Sequence, residues 1–188
     1  MGAAVTDLFR QTELICAKSI YRTLDGSFLG KVILTSGTLP EKEPWHRLLY
    51  ARRPTVGGLA IMRIEDADGK PLLTLRGSQG MCDVRDLNGK TIGHLGLLSG
   101  TVGEVLRSRF LSGLLPGYRA WSVRDKVGNV LLRIVPGEGI RTIGLGDGTQ
   151  VAVWKGDRLT VAHQLPSPLR ELVIAIPAAA RLVPDLAP

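Results

Sequence analysis

Short apolar runs recur along most of the chain, separated by polar clusters in which glycine stands beside aspartate or asparagine. The repeated unit is an apolar run, a turn of this kind, then an alternating apolar run. It occupies residues 19–32 around Asp25-Gly26 and residues 59–75 around Asp68-Gly69. It returns at 81–97 around Asn88-Gly89, at 120–135 around Gly128-Asn129 and at 140–154 around Asp147-Gly148, and a last turn at Gly156-Asp157 leads into 159–162. Tight hairpins need positive φ at the turn, which glycine adopts freely and Asn or Asp tolerate better than other residues. The flanks carry the strand period. Ile92, His94 and Leu97 mix with Thr91 and Gly93, and Ala152 and Trp154 alternate with Val151 and Val153. Flanks that are apolar on both faces suit strands packed on both sides.

Gly69 and Gly89 stand 20 residues apart, as do Gly128 and Gly148, and the second pair follows the first by 59 residues. This predicts two similar halves of two consecutive hairpins each. Counting flanks yields about eleven strands, enough for a barrel or a two-layer sandwich; a barrel removes exposed edges. Two stretches break the pattern. Residues 38–54 carry Pro40, Pro44 and Pro54 with Trp45, His46 and Tyr50, and read as a long loop. Residues 100–117 place Val102, Val105, Leu106, Phe110 and Leu111 around Arg107 and Arg109, a spacing that predicts a short amphipathic helix against the sheet. Neither reads as a linker, so a single domain over 1–188 is expected.

The tail reads differently. Pro166-Ser167-Pro168 is a helix-start signal, with Ser167 as N-cap and Pro168 at the first helical position. The helix predicted over 168–183 is apolar on every face, which places it inside protein, and Pro177 is expected to kink or end it. Nine uncharged residues separate Glu171 from Arg181, well short of the ~20 that cross a bilayer, so no transmembrane helix is expected.

Composition sharpens this picture in a few places. The 188 residues hold 24 Lys+Arg against 17 Asp+Glu, a formal charge of +7, and arginine supplies 17 of the bases. Such an excess favours an anionic partner. The charges are scattered, and the longest basic cluster is Arg52-Arg53, so a mildly basic solvated surface is the plain reading beside it. Cys16 and Cys82 lie far apart in apolar surroundings and make neither a disulfide framework nor a tetrahedral metal site. The N-terminus shows no secretory signal, and Gly2 with Thr6 matches only a short myristoylation pattern. A reducing, cytoplasmic home is expected.

Residue patterns that carry reaction chemistry are scarce. His46, His94 and His163 share no metal-ligand spacing, and His94 and His163 fall in predicted strands as packed or surface residues. There is no Gly-x-Ser-x-Gly elbow, and Cys82 reads as a small buried residue. Asp66 and Asp68 form a short Asp-x-Asp-Gly, but residues 72–76 supply none of the further oxygen ligands a calcium loop needs. Gly137-Glu138-Gly139 and Gly144-Leu145-Gly146-Asp147-Gly148 lack the following helix of a phosphate loop and read as hairpin ends. Aromatics make up 5%, and Trp45, Trp121 and Trp154 are dispersed, which argues against a stacking platform for nucleic acid. No metal, no cofactor and no enzymatic activity are expected.

The segments Arg63-Ile-Glu-Asp-Ala-Asp-Gly-Lys-Pro-Leu, Val84-Arg-Asp-Leu-Asn-Gly-Lys-Thr-Ile-Gly and Val123-Arg-Asp-Lys-Val-Gly-Asn-Val-Leu, with the apolar helix at 168–183, resemble the tubby C-terminal-like superfamily. That group includes the phospholipid scramblases and the LURP-one-related proteins. The resemblance implies a closed antiparallel barrel of eleven to twelve strands around a central C-terminal helix. It also implies a non-enzymatic module that engages anionic phospholipid from the cytoplasm, at the membrane periphery. Arg52, Arg53, Arg107 and Arg109, in the two irregular segments, are the candidate contacts. The proline-rich arm and the cysteine cluster of animal scramblases have no counterpart here, and the phosphoinositide pocket of tubby proteins maps onto no residues of this chain. A scaffold for a protein partner is the alternative. A carrier or enzyme is the third reading, should the barrel hold a cavity in place of the helix.

Overall fold

Asp66 shows how these hairpins are built. Its N–H bonds the carbonyl of Lys70 at 2.9 Å, and its own carbonyl accepts the Gly69 N–H at 3.1 Å. Its Oδ1 accepts the N–H groups of Asp68 and Lys70 at 3.0 and 2.8 Å. This is a turn followed by one residue with positive φ, Gly69 at 81°. The same backbone scheme joins Asp86 to Lys90, Asp125 to Asn129, Leu145 to Thr149 and Thr23 to Ser27. The sequence-based expectation is corrected in one respect. The Asp or Asn beside the glycine does not take positive φ; the glycine alone does. The residue three before it supplies the turn's carbonyl and, in three cases, a capping carboxylate.

The structure, a computed structural model, describes residues 7–17, 19–39, 59–78, 81–97, 120–183 and Leu186. Among these, a 3-10 turn at Asp7–Phe9 precedes β1 (Glu13–Ala17), β2 (Ile20–Arg22), β3 (Phe28–Ser36), β4 (Ala60–Asp66), β5 (Pro71–Ser78) and β6 (Met81–Arg85). Then come β7 (Thr91–Leu97), β8 (Trp121–Arg124), β9 (Val130–Gly137), β10 (Ile140–Leu145), β11 (Gln150–Lys155), β12 (Arg158–Val161) and the helix α1 (Leu169–Ala179). The twelve described strands form a closed meander in which each pairs antiparallel with its chain neighbours. Pairing of Glu13, Leu14 and Ile15 with Thr160, Leu159 and Arg158 joins the first strand to the last and leaves no edge. The strand missing from the count of flanks is β1. It lacks a Gly-Asp turn, and Ser19, at φ 74°, takes the strained position that glycine holds in the other hairpins.

Because the strands alternate in direction, the connections alternate between two rims. The five turns after β2, β4, β6, β8 and β10, which carry Gly26, Gly69, Gly89, Gly128 and Gly148, form one rim, here the turn rim. Inward positions such as Leu14, Tyr21, Met62, Leu75, Val84, Val123, Ile134, Ile143 and Leu159 are buried, as the two-residue period requires.

The helix runs through the barrel. It packs on β5 and β6 and also on β12, and β12 lies across the ring from that pair. A helix that touches opposite walls occupies the lumen. Leu172, Val173, Ile174, Ala175 and Ile176, five consecutive residues and hence every face, are all buried. Fully buried Tyr21 donates its hydroxyl to the Ile174 carbonyl at 2.9 Å. Gly93 on β7 leaves room for Leu172: an added Cβ would stand 2.6 Å from Leu172 Cδ2.

Arginines fasten both ends. At the turn rim Arg170 donates to the carbonyls of Phe9, of Gln11 at 2.7 Å, and of Ala162 and His163 at 3.1 Å, tying helix, N-terminal segment and β12 exit together. At the other rim Arg181 donates to Ser19 Oγ, and buried Arg141 donates to the Leu186 carbonyl at 3.0 Å. Details of the predicted helix change. Pro168, not Ser167, is the N-cap, with no side-chain cap bond; the first turn is held by Arg170 N–H to Pro166 O at 3.1 Å. The helix passes Pro177 and ends two residues later, because Ala180 N–H still reaches Ile176 O at 3.0 Å. Leu169 is only partly buried, and His163 lies in the turn after β12 rather than in a strand.

Candidate binding surface

With the lumen filled by α1, surface available to a partner lies on the rims and the outer wall. The strand register identifies the wall. Since Met62 and Ile64 point inward, Arg63 and Glu65 point out; the same alternation turns Lys31, Arg76, Asp83, Arg85, His94, Arg124 and Arg133 outward on β3 to β9. On the remaining strands it exposes Glu13, Arg22, Lys155 and Arg158. Among the described strands the outer face therefore carries nine Lys or Arg side chains against three carboxylates, Glu13, Glu65 and Asp83.

The turn rim has the opposite balance. Asp25, Asp66, Asp68, Asp86, Asp125 and Asp147 sit in its five turns, with Lys70, Lys90 and Lys126 as their basic neighbours. The sorting has a local cause. A carboxylate accepts the two or three free N–H groups of a turn, so the fold uses its aspartates there. The Asn129 amide, with the turn's own N–H groups, holds the Asp125 carboxyl below its ordinary value; the Thr23 hydroxyl does so for Asp25, and the Thr149 N–H for Asp147. The bases are left on the strands. Charges scattered in sequence are thus segregated in space.

Parts of the wall neutralise themselves. Glu65, nearly buried, takes Arg63 at 2.7 Å and Lys31 at 3.7 Å, and Glu13 takes Arg158 at 2.7 Å. Asp83 Oδ1 lies 2.7 Å from His94 Nδ1. Arg124 donates to Ser122 Oγ at 3.3 Å and to the Gly128 carbonyl at 3.4 Å. The side chains of Arg76, Arg85 and Arg133 make no hydrogen bond or ion pair with the described residues.

The other chemistry-bearing residues are buried or, for Cys16, half-buried. Burial pushes the thiols of Cys16 and Cys82 up to about 12 each, which leaves them protonated and unreactive at neutral pH. Burial likewise holds the Tyr21 hydroxyl well above its ordinary value. Trp121 and Trp154 line the core, as their strand positions predict.

The predicted contacts Arg52, Arg53, Arg107 and Arg109, like Trp45 and His46, lie outside the described residues. The strand ends that bracket their segments, Ser36 with Ala60 and Leu97 with Trp121, share the rim opposite the turn rim. Sequence reasoning missed the wall arginines. A usable signal was present: Arg85-Asp86-x-x-Gly89 and Arg124-Asp125-x-x-Gly128 place an outward arginine directly before a capping aspartate. Compared with known protein families, with curated proteins and with solved structures, the chain matches none.

Proposed function

We propose that this chain is a non-enzymatic binding module, similar in kind to the scramblase and LURP-one-related proteins, that docks on anionic phospholipid at a cytoplasmic membrane face. One observation carries the reading: among the described residues the outer wall holds nine bases against three acids, while six aspartates are withdrawn to one rim. A wall of that sign meets an anionic surface broadside and turns the acidic rim to the side. A barrel around a central helix, the architecture implied by the resemblance, supports the reading too, because a filled lumen leaves binding to the outside.

Each base near an anionic bilayer adds about 1 kcal/mol, and salt screens it. Co-sedimentation with phosphatidylserine vesicles is expected at low salt and should fade at high salt. Replacing Arg76, Arg85 and Arg133 together with glutamine should weaken it about 100-fold, since roughly 3 kcal/mol is removed. Equal binding to neutral and anionic vesicles would sink the proposal.

A scaffold for a protein partner is the second reading, favoured by the apolar tips of the turn rim. Leu24, Leu87 and Val127 are 52%, 57% and 77% exposed there, and turn tips are ordinarily polar. Changing all three to serine separates the readings: vesicle binding should persist, whereas a stoichiometric protein partner captured by the native chain should be lost.

A further inference from the structure

The half-buried Arg85 is distinctive. Its Nε is shut off from solvent and has no hydrogen-bond partner. The other buried polar atoms without partners among the described residues belong to Trp121 and Trp154 inside the barrel and to Glu171 on the helix, so Arg85 is the one on the outer wall. That N–H cannot itself reach a ligand, but the two Nη groups of Arg85 are neither buried nor hydrogen-bonded, and they can donate side by side to an anionic acceptor.

The register surrounds Arg85 with further donors. Thr74 stands opposite it on β5 and Thr91 opposite it on β7, and Arg63 lies across from Thr74 on β4. Arg76 shares the outer face of β5, two residues along from Thr74. Neighbouring strands are ~4.8 Å apart, so Arg63, Thr74, Arg85 and Thr91 form a row of alternating guanidinium and hydroxyl groups with Arg76 diagonal to Arg85. Three carboxylates are near, and each has other partners. Asp83, opposite Arg76, contacts His94; Asp86 accepts the N–H groups of Asn88 and Lys90; and Glu65 takes Arg63 and Lys31.

We infer that Arg85, with Thr74, Thr91 and Arg76, forms a discrete binding site for a phosphomonoester group on the outer wall of β5, β6 and β7. The group is either the headgroup of a phosphatidic-acid-like lipid or a free phosphate. The inference deepens the membrane-docking reading and rests on it only for the lipid source. A phosphomonoester suits the place because its oxygens accept from both hydroxyls while the forked guanidinium takes two in parallel.

The test titrates inorganic phosphate into the full-length protein by calorimetry. In parallel it measures co-sedimentation on vesicles of phosphatidic acid or phosphatidylserine at matched surface charge. Saturable phosphate binding is expected. Arg85→Lys keeps the charge but loses the fork and should weaken binding about tenfold, whereas Arg10→Lys, at an exposed arginine ahead of β1 and off the wall, should leave it within about twofold. Thr74→Val, which removes a hydroxyl at nearly constant shape, is a second variant and should also weaken it; unchanged melting temperatures show that both fold. A preference for phosphatidic acid that depends on Arg85 assigns the lipid source, and phosphate binding without that preference assigns the free ion; both support the site. No saturable phosphate binding, or equal losses for Arg85→Lys and Arg10→Lys, overturns it. If phosphatidylserine binding survives that result, the diffuse wall reading stands and the discrete site alone falls. Failure to bind any anionic vesicle while phosphate binding still depends on Arg85 has the reverse meaning.

Discussion

Replacing Gly93 with alanine places a methyl group where the helix already is. The added Cβ would lie 2.6 Å from Leu172 Cδ2 and 2.7 Å from Val123 Cγ1, inside van der Waals contact on both sides. Overpacking of this kind typically costs about 1–3 kcal/mol. Leu172 is 1% exposed, so Leu172→Ala should cost about 2–5 kcal/mol through lost transfer energy and a residual cavity. In a chain of this length that lowers Tm by something on the order of 10 °C. The double variant is the decisive one. Shortening Leu172 removes the closer of the two clashes, and the new methyl then fills part of the cavity, while the contact with Val123 remains. The two substitutions should therefore couple, with the double variant more stable than the sum of the singles by about 1–2 kcal/mol. Urea unfolding followed by circular dichroism and by the fluorescence of the tryptophans measures all four proteins. Additivity within ~0.5 kcal/mol would mean that β7 and the helix share no space, and the threaded helix would be refuted.

Removing everything after Pro166 should leave an unfolded or aggregating chain. The large buried aliphatic side chains of α1 alone, Leu172, Val173, Ile174 and Ile176, contribute about 6–12 kcal/mol, comparable to a whole domain's stability, and buried Leu182, Val183 and Leu186 are lost with them. A truncated protein that stays monomeric and melts cooperatively near the full-length temperature would contradict this. Asp125 has its carboxyl held below the ordinary 3.8, so its contribution is complete above about that pH and disappears as pH falls through the folded-state value. Asp125→Ala should accordingly lower the urea midpoint near pH 5, and the gap to the native chain should close toward pH 2.5; a gap that widens in acid contradicts the assignment. The thiols of Cys16 and Cys82, pushed up to about 12 by burial, should react with a disulfide reagent at pH 8 only after denaturation. Rapid labelling of either in the folded protein would show that its side of the core opens.

Most of the architecture was legible because it depends on local rules. A glycine at the left-handed position of a turn, an apolar period of two on either side and an all-round apolar tail each act within a few residues. They identified five hairpins, the strands flanking them and a buried helix. β1 escaped for the same reason: its connection to β2 uses Ser19 at positive φ, and no glycine announces it. The helix start was misjudged at Ser167 because the first turn is secured by Arg170, whose partners Phe9 and Gln11 lie more than a hundred residues away. No local pattern reports such a partner.

The candidate surface depended on tertiary structure far more. Along the chain the bases look dispersed, and the eye goes to Arg52-Arg53 as the one adjacent pair. Antiparallel register instead brings Arg63, Arg76 and Arg85, from three different strands, onto one face of the sheet, while the turns draw six aspartates to a rim. What the sequence by itself determined was turn chemistry, strand period and an apolar tail too short to cross a bilayer, because those are fixed by neighbours along the backbone. Tertiary structure alone decided that the sheet closes, that the tail threads it rather than covers it, and which charges face outward together. Each of these depends on cross-strand pairing and on the space left between opposite walls, which is set by residues far apart in the chain.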